Sequence, residues 1–120
     1  MYQSVHQHTE DARRVLGDAV LAAIPATRAR SYAIFSMERW HPPLLVCCPD
    51  RIDVHLGRFV RTGPGRHLST TPLAEARFRF DDRHATVTTA DNTWYASQWH
   101  LGELIDVLRQ LEHPDAQGVT

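Results

Sequence analysis

From Ser31 to Ser97 the chain is cut into short runs in which apolar and polar residues alternate, and turn residues close each run. That punctuation constrains the fold more than any other feature. A period of two sends one face of a segment toward a core and the other toward water, as half-buried strands require. The runs are SYAIFSME (31–38), LLVCC (44–48), RIDVHLG (51–57), RHLSTTPL (66–73), ARFRFD (76–81), HATVTTA (84–90) and TWYAS (93–97). RWHPP, Pro49-Asp50, TGPG, Asp81-Asp82-Arg83 and Asp91-Asn92 separate them, and RFVRT (58–62) extends or bends the third run. Connections this short make neighbouring strands largely antiparallel.

Helical spacing flanks the strands. Ala12, Val15, Leu16, Ala19, Val20, Ala23 and Ile24 recur every three or four residues, which predicts a helix over 8–25. Thr9 is its expected N-cap, Glu10 and Asp11 suit its positive end, and Pro25 stops it. Leu101, Leu104, Ile105, Leu108 and Leu111 predict a second helix over 98–112, stopped by Pro114, with 113–120 as a flexible tail. The expected architecture is a single α+β domain over residues 1–120. It has an N-terminal helix, then about seven short antiparallel strands forming a bent sheet or partly open barrel (31–97), then a C-terminal capping helix.

A chain of 120 residues is one domain by size, and 42% hydrophobic with 22% charged residues suits a globular core. A formal net charge of −1 gives no global pull toward nucleic acid or an anionic membrane. No apolar run approaches the length of a bilayer span, and MYQSVHQHTEDARR lacks the layout of a secretory signal. A cytoplasmic protein is the expectation. All 13 basic residues are arginine. This reads first as the coding bias of a GC-rich genome, and it leaves no residue for Schiff-base chemistry.

The stretch LLVCCPDRIDVHLG brings two cysteines, two aspartates and a histidine together. Strand alternation divides them. Leu45, Cys47, Ile52, Val54 and Leu56 share one face, and Leu44, Val46, Cys48, Arg51, Asp53 and His55 share the other. Cys47 then reads as a small core residue, and only Cys48 could lie near Asp53 or His55. The eight histidines never stand at H-x-x-x-H spacing, and no C-x-x-C, P-loop, G-x-S-x-G or H-E-x-x-H occurs. No catalytic residue, metal ligand or cofactor is expected. Trp40, Trp94 and Trp99 read as core or hinge residues rather than a ligand cage.

Seven strands and a closing helix resemble the layout of bacterial pleckstrin-homology-like (PH-like) domains. The resemblance covers about residues 31–111 and is carried by VCCPDRIDVHL, TGPG, TPLAEARFRF, ATVTTADNTWYAS and LGELIDVLRQL. Pro49 stands where such domains carry threonine before the Asp-Arg turn, and Asn92 where they carry glycine. The N-terminal helix lies outside the resemblance. The family implies a scaffold for binding peptides, proteins or lipid headgroups. The basic first hairpin of inositol-lipid binders is missing, because that region offers only Arg39 and His41.

The candidate binding residues are Arg58, Arg61 and Arg66 around TGPG, with Arg77 and Arg79 on a later strand, as a loop for an anion or acidic partner. The expected function is a non-enzymatic module for protein–protein interaction. Its partner is another protein or a second copy of the chain, docked through the N-terminal helix or a sheet edge, with no role for nucleic acid or membrane. The alternative is an α+β barrel or roll that binds a small ligand or an anion between sheet and last helix, the ligand pocket lined by Phe35, Phe78, Phe80 and Trp94.

Overall fold

The computed structural model describes residues 5–27, 43–58, 61–81, 84–90, 92–97 and 100–116. Helix α1 (Val5–Leu16) is followed by strands β1 (Ala22–Pro25), β2 (Leu44–Cys47), β3 (Arg51–Gly57) and β4 (Pro64–Pro72). A 3-10 turn (Leu73–Glu75) leads to β5 (Arg77–Phe80), β6 (His84–Thr88) and β7 (Thr93–Ser97), then to helix α2 (Leu101–Gln110) and a last 3-10 turn (Pro114–Ala116). The strands form two antiparallel sheets, ordered β1-β2-β3-β4 and β5-β6-β7. The architecture is the expected α+β one: among the described residues, a helix, seven antiparallel strands in sheets that do not close, and a C-terminal helix.

Each sheet turns its apolar face inward. Ala22, Ile24, Leu45, Cys47, Ile52 and Val54 from the first meet Phe78, Ala85, Val87, Trp94 and Ala96 from the second, and α2 adds Leu104, Val107 and Leu108. Trp94 is buried within this core, and its indole N–H donates to Thr89 Oγ1 at 3.1 Å. Two corners tie the sheets together. Thr27 and Tyr95 exchange backbone hydrogen bonds at 3.0 and 2.8 Å, joining the chain after β1 to β7. Buried Thr71 at the end of β4 accepts the Ala90 N–H at 3.0 Å.

The first sheet is covered on its other face too. Ala23, Leu44, Val46 and Cys48 pack with Ala12 of α1 and with Val20. The expected division of the β2–β3 hairpin therefore holds. Leu45 stands opposite Val54 and Cys47 opposite Ile52 on the main core, while Val46 faces Asp53 and Leu44 faces His55 on the other side. Leu56 departs from it: the β3–β4 pairing shifts register after Val54 and again after His55, and Leu56 is only half-buried.

Three sequence readings are corrected. The N-terminal helix ends at Leu16, not Pro25, and Ala22–Pro25 is a strand. Gly17 adopts φ +106°, a conformation open to glycine, and its N–H closes the last turn on the Arg13 carbonyl at 2.9 Å. Arg13 then holds the emerging chain by donating to the carbonyls of Val20 and Leu21. An apolar run rich in alanine fits a period of two as well as one of 3.6, and pairing with β2 decides between them. Thr9 is likewise not an N-cap. It lies inside α1, donates to the Val5 carbonyl at 2.7 Å and accepts the Ala23 N–H at 3.0 Å. The third correction concerns the C-terminal tail. His113 and Ala116 are buried, and Asp115 binds β5, so 113–116 belong to the fold. The predicted strand SYAIFSME lies outside the described residues, as do Phe35, Trp40, Trp99 and residues 117–120. TGPG is only in part a loop, because β4 begins at Pro64.

Candidate functional site

Helix α1 rests on the tip of the β3–β4 hairpin through a polar contact. Its buried face is Val5, His8, Thr9 and Ala12, one stripe at helical spacing, with Asp11 beside it. His8 Nδ1 accepts the backbone N–H of Gly63 at 3.1 Å. Asp11 accepts the Thr62 hydroxyl on Oδ2, and Gln7 and Arg14 approach its Oδ1 at 3.4 and 3.1 Å. The Thr62 hydrogen bond is the largest influence on Asp11; with help from Arg14 and Arg58 it holds the carboxyl below its ordinary range despite burial. Gly63 adopts φ +98° directly against Asp11.

The C-terminal turn of α1 leaves that contact and turns to solvent. Val15 is 64% exposed and Leu16 41%, and they are the large hydrophobic side chains left exposed among the described residues. Val15 stands one turn beyond Asp11, on the side of the helix that faces the hairpin tip. The arginines Arg58 and Arg61, both exposed, flank this tip, and the charge of Arg58 reaches Asp11. Arg66 is exposed near the start of β4. Arg77 and Arg79 are exposed on β5, in the other sheet, where Arg77 donates to the carbonyls of Ala74 and Ala76. The five arginines predicted as one set thus fall into two groups, three around the hairpin and two on the opposite sheet.

A second polar group lies on the outer face of β3 and β4. Asp53 is buried, with Arg51 Nε at 2.9 Å from Oδ2 and the Thr70 hydroxyl at 2.5 Å from Oδ1. Burial alone would raise the Asp53 carboxyl, but Thr70 and Arg51 outweigh it and hold the pKa down. His67 Nε2 lies 2.8 Å from the Thr70 hydroxyl, and its ring stands edge-on to His55 at 5.1 Å. His55 Nδ1 is 3.2 Å from the Gly65 carbonyl, a contact in which the ring donates. Burial lowers the His55 pKa.

Cys48 belongs to this face but not to a Cys-His pair. It stands opposite Arg51 at the turn, with its N–H on the Arg51 carbonyl at 2.9 Å, whereas His55 stands opposite Leu44. Four residue steps along the strand separate the two positions, about 13 Å at roughly 3.3 Å per residue. Burial raises the Cys48 thiol pKa, which favours the unreactive thiol. Among the described residues no group of three or more histidine, cysteine, aspartate or glutamate side chains could hold a metal ion. No helix among them is long and apolar enough to cross a membrane.

Sequence reasoning found Val15 and Leu16 but assigned them to the buried stripe. It missed the His8–Gly63 and Asp11–Thr62 contacts, which join residues 55 and 51 positions apart. No local pattern could have revealed them. Comparison with known proteins returned no matching family model, no matching curated protein and no matching solved structure.

Proposed function

We propose that this chain is a non-enzymatic, PH-like protein-interaction module of the bacterial cytoplasm. It docks a partner protein on the C-terminal turn of α1 beside the hairpin tip. One observation carries the reading: Val15 and Leu16 are exposed side by side on a helix whose other face, Val5, His8, Thr9 and Ala12, is buried against the sheet and hairpin. Contiguous exposed apolar side chains rimmed by polar ones mark interaction surfaces. Arg58 and Arg61 at the tip favour a partner that presents acidic groups around an apolar centre. The PH-like part of the reading is supported by the division into four and three antiparallel strands followed by a helix. Cytoplasmic residence is supported by two buried free cysteines.

The test is a photo-crosslinker placed at position 15 in cells, with exposed Arg109 of α2 as the control position. Discrete adducts from position 15 but not from 109 support docking on α1. No adduct at 15, or the same smear from both, overturns it. Light scattering of the purified protein then tells whether the adduct partner is a second copy.

A further inference from the structure

Two histidines hold the β3–β4 hairpin within three residues of each other, in opposite hydrogen-bonding senses. His55 donates to the Gly65 carbonyl through Nδ1, so a proton added at its Nε2 leaves that bond intact. His8 accepts the Gly63 N–H through Nδ1. A proton added there replaces the accepting lone pair with an N–H that points at another N–H, and the contact must break. We propose that the His8–Gly63 contact is an acid-released latch: proton uptake at His8 Nδ1 detaches α1 from the hairpin tip and uncovers the layer beneath the helix.

The surroundings of His8 favour release over accommodation. Its ring is buried, and burial pushes its pKa below that of free imidazole. Asp11 on its own helix pulls the other way, and His100, at the head of α2, adds to the lowering. His100 is itself buried and lowered by burial, with Glu103 opposing. The hairpin residues in contact with α1, Thr62 and Gly63, bring no titratable group, and neither does β1. Arg14 and Arg58 act on Asp11. The start of β4 also packs on α1 and carries exposed Arg66 and His67. A charged His8 has its nearest anion one turn along its own helix. Pairing with Asp11 would draw that carboxylate off Thr62 and loosen the second contact with the hairpin.

The sign follows from the lowered pKa. Neutral His8 is the folded form, so the contact is fully present above about pH 6.5 and is lost as the pH falls through the folded value. The layer beneath α1 is the cluster of Ala12, Val20, Ala23, Leu44, Val46 and Cys48, so Cys48 is its thiol, while Cys47 faces the main core. The two adjacent thiols therefore report on two different openings.

The test labels the protein with 2,2′-dipyridyl disulfide at a series of pH values from about 7.5 down to about 4, with rates normalised to glutathione in the same buffers. Mass spectrometry assigns each thiol. Cys48 is expected to gain about tenfold or more on acidification while Cys47 stays protected. His8→Asn, whose side-chain oxygen can take the Gly63 N–H at any pH, is expected to abolish the gain. A flat Cys48 rate in the wild type overturns the latch. So does a gain shared equally by Cys47, which marks global opening, or one that persists in His8→Asn. The NMR protection factor of the Gly63 amide in the wild type needs no variant. It should fall on acidification while that of Phe78 holds, and an unchanged Gly63 amide overturns the proposal.

Discussion

The carboxylate of Asp115 accepts the backbone N–H of Phe78 at 2.9 Å, so a side chain occupies an outward hydrogen-bonding position on the edge of β5. His113 adds its ring, edge-on to Phe78 at 5.1 Å, and Ala116 enters the core. An unpaired edge invites pairing with another chain, and covering it is a common defence. Asp115→Ala is expected to cost about 1.5–3 kcal/mol, the range for a lost hydrogen bond to a charged acceptor. Urea denaturation should show a lower midpoint at unchanged slope. Light scattering of a chain ending at Glu112 should show self-association absent from the full chain. A full-strength midpoint in Asp115→Ala would mean that the carboxylate does not hold the edge.

Gly63 and Gly17 make a matched pair. Both adopt a positive φ, +98° and +106°, but a Cβ at Gly63 would lie 2.9 Å from Asp11 Cβ, whereas a Cβ at Gly17 meets nothing within 4 Å. Gly17→Ala should lose only the backbone term, roughly 1 kcal/mol. Gly63→Ala should lose clearly more, about 2–3 kcal/mol, because α1 must also move off the hairpin tip. Equal losses in urea would show that the helix does not bear on this tip.

These contacts mark where sequence reading succeeds and where it stops. Alternation assigned Cys47 and Cys48 to opposite faces, because strand geometry fixes the face of each residue whatever its partner is. The later strands were legible for the same reason, with Phe78, Val87 and Trp94 inward and Arg77 and Arg79 outward. Alanine-rich 19–24 was misread because its apolar residues satisfy both periods, and the choice rests on pairing with β2, about 20 residues on. The buried face of α1 was missed because two of its residues, His8 and Thr9, are polar. Their burial is offset by Gly63 and Ala23, which sequence alone does not bring near. The arginines were legible as exposed, but their division between sheets depends on the corner after Pro72.

Asp53 links the pH dependence of stability to the outer face of β3 and β4. Arg51 and Thr70 hold its pKa down against burial, so the charged carboxylate belongs to the folded state. A depressed carboxyl contributes stability above its unfolded pKa of about 3.9 and loses it as the pH falls through the folded value. Asp53→Asn is expected to cost about 1–3 kcal/mol near neutrality. The cost should shrink as both proteins are acidified below about pH 4. Urea midpoints at a series of pH values provide the check, and a loss that stays constant with pH would mean that Asp53 is not ionised in the fold.

At neutral pH both thiols should be inert, for two separable reasons. Cys47 lies in the main core, where burial pushes its pKa up to about 12. Cys48 is raised by burial too, against the pull of Arg51 and with Asp53 and Asp50 adding to the rise. Only the thiolate attacks iodoacetamide, so each raised pKa lowers the reactive fraction and packing slows access further. Both rates near pH 7.5 are expected to fall about tenfold or more below that of glutathione. Cys48 should be the faster, because it lies in the layer beneath a single helix, whereas reaching Cys47 requires parting the two sheets. A Cys48 rate above that of glutathione would require a base at the turn. His55 cannot supply it from the far end of the hairpin.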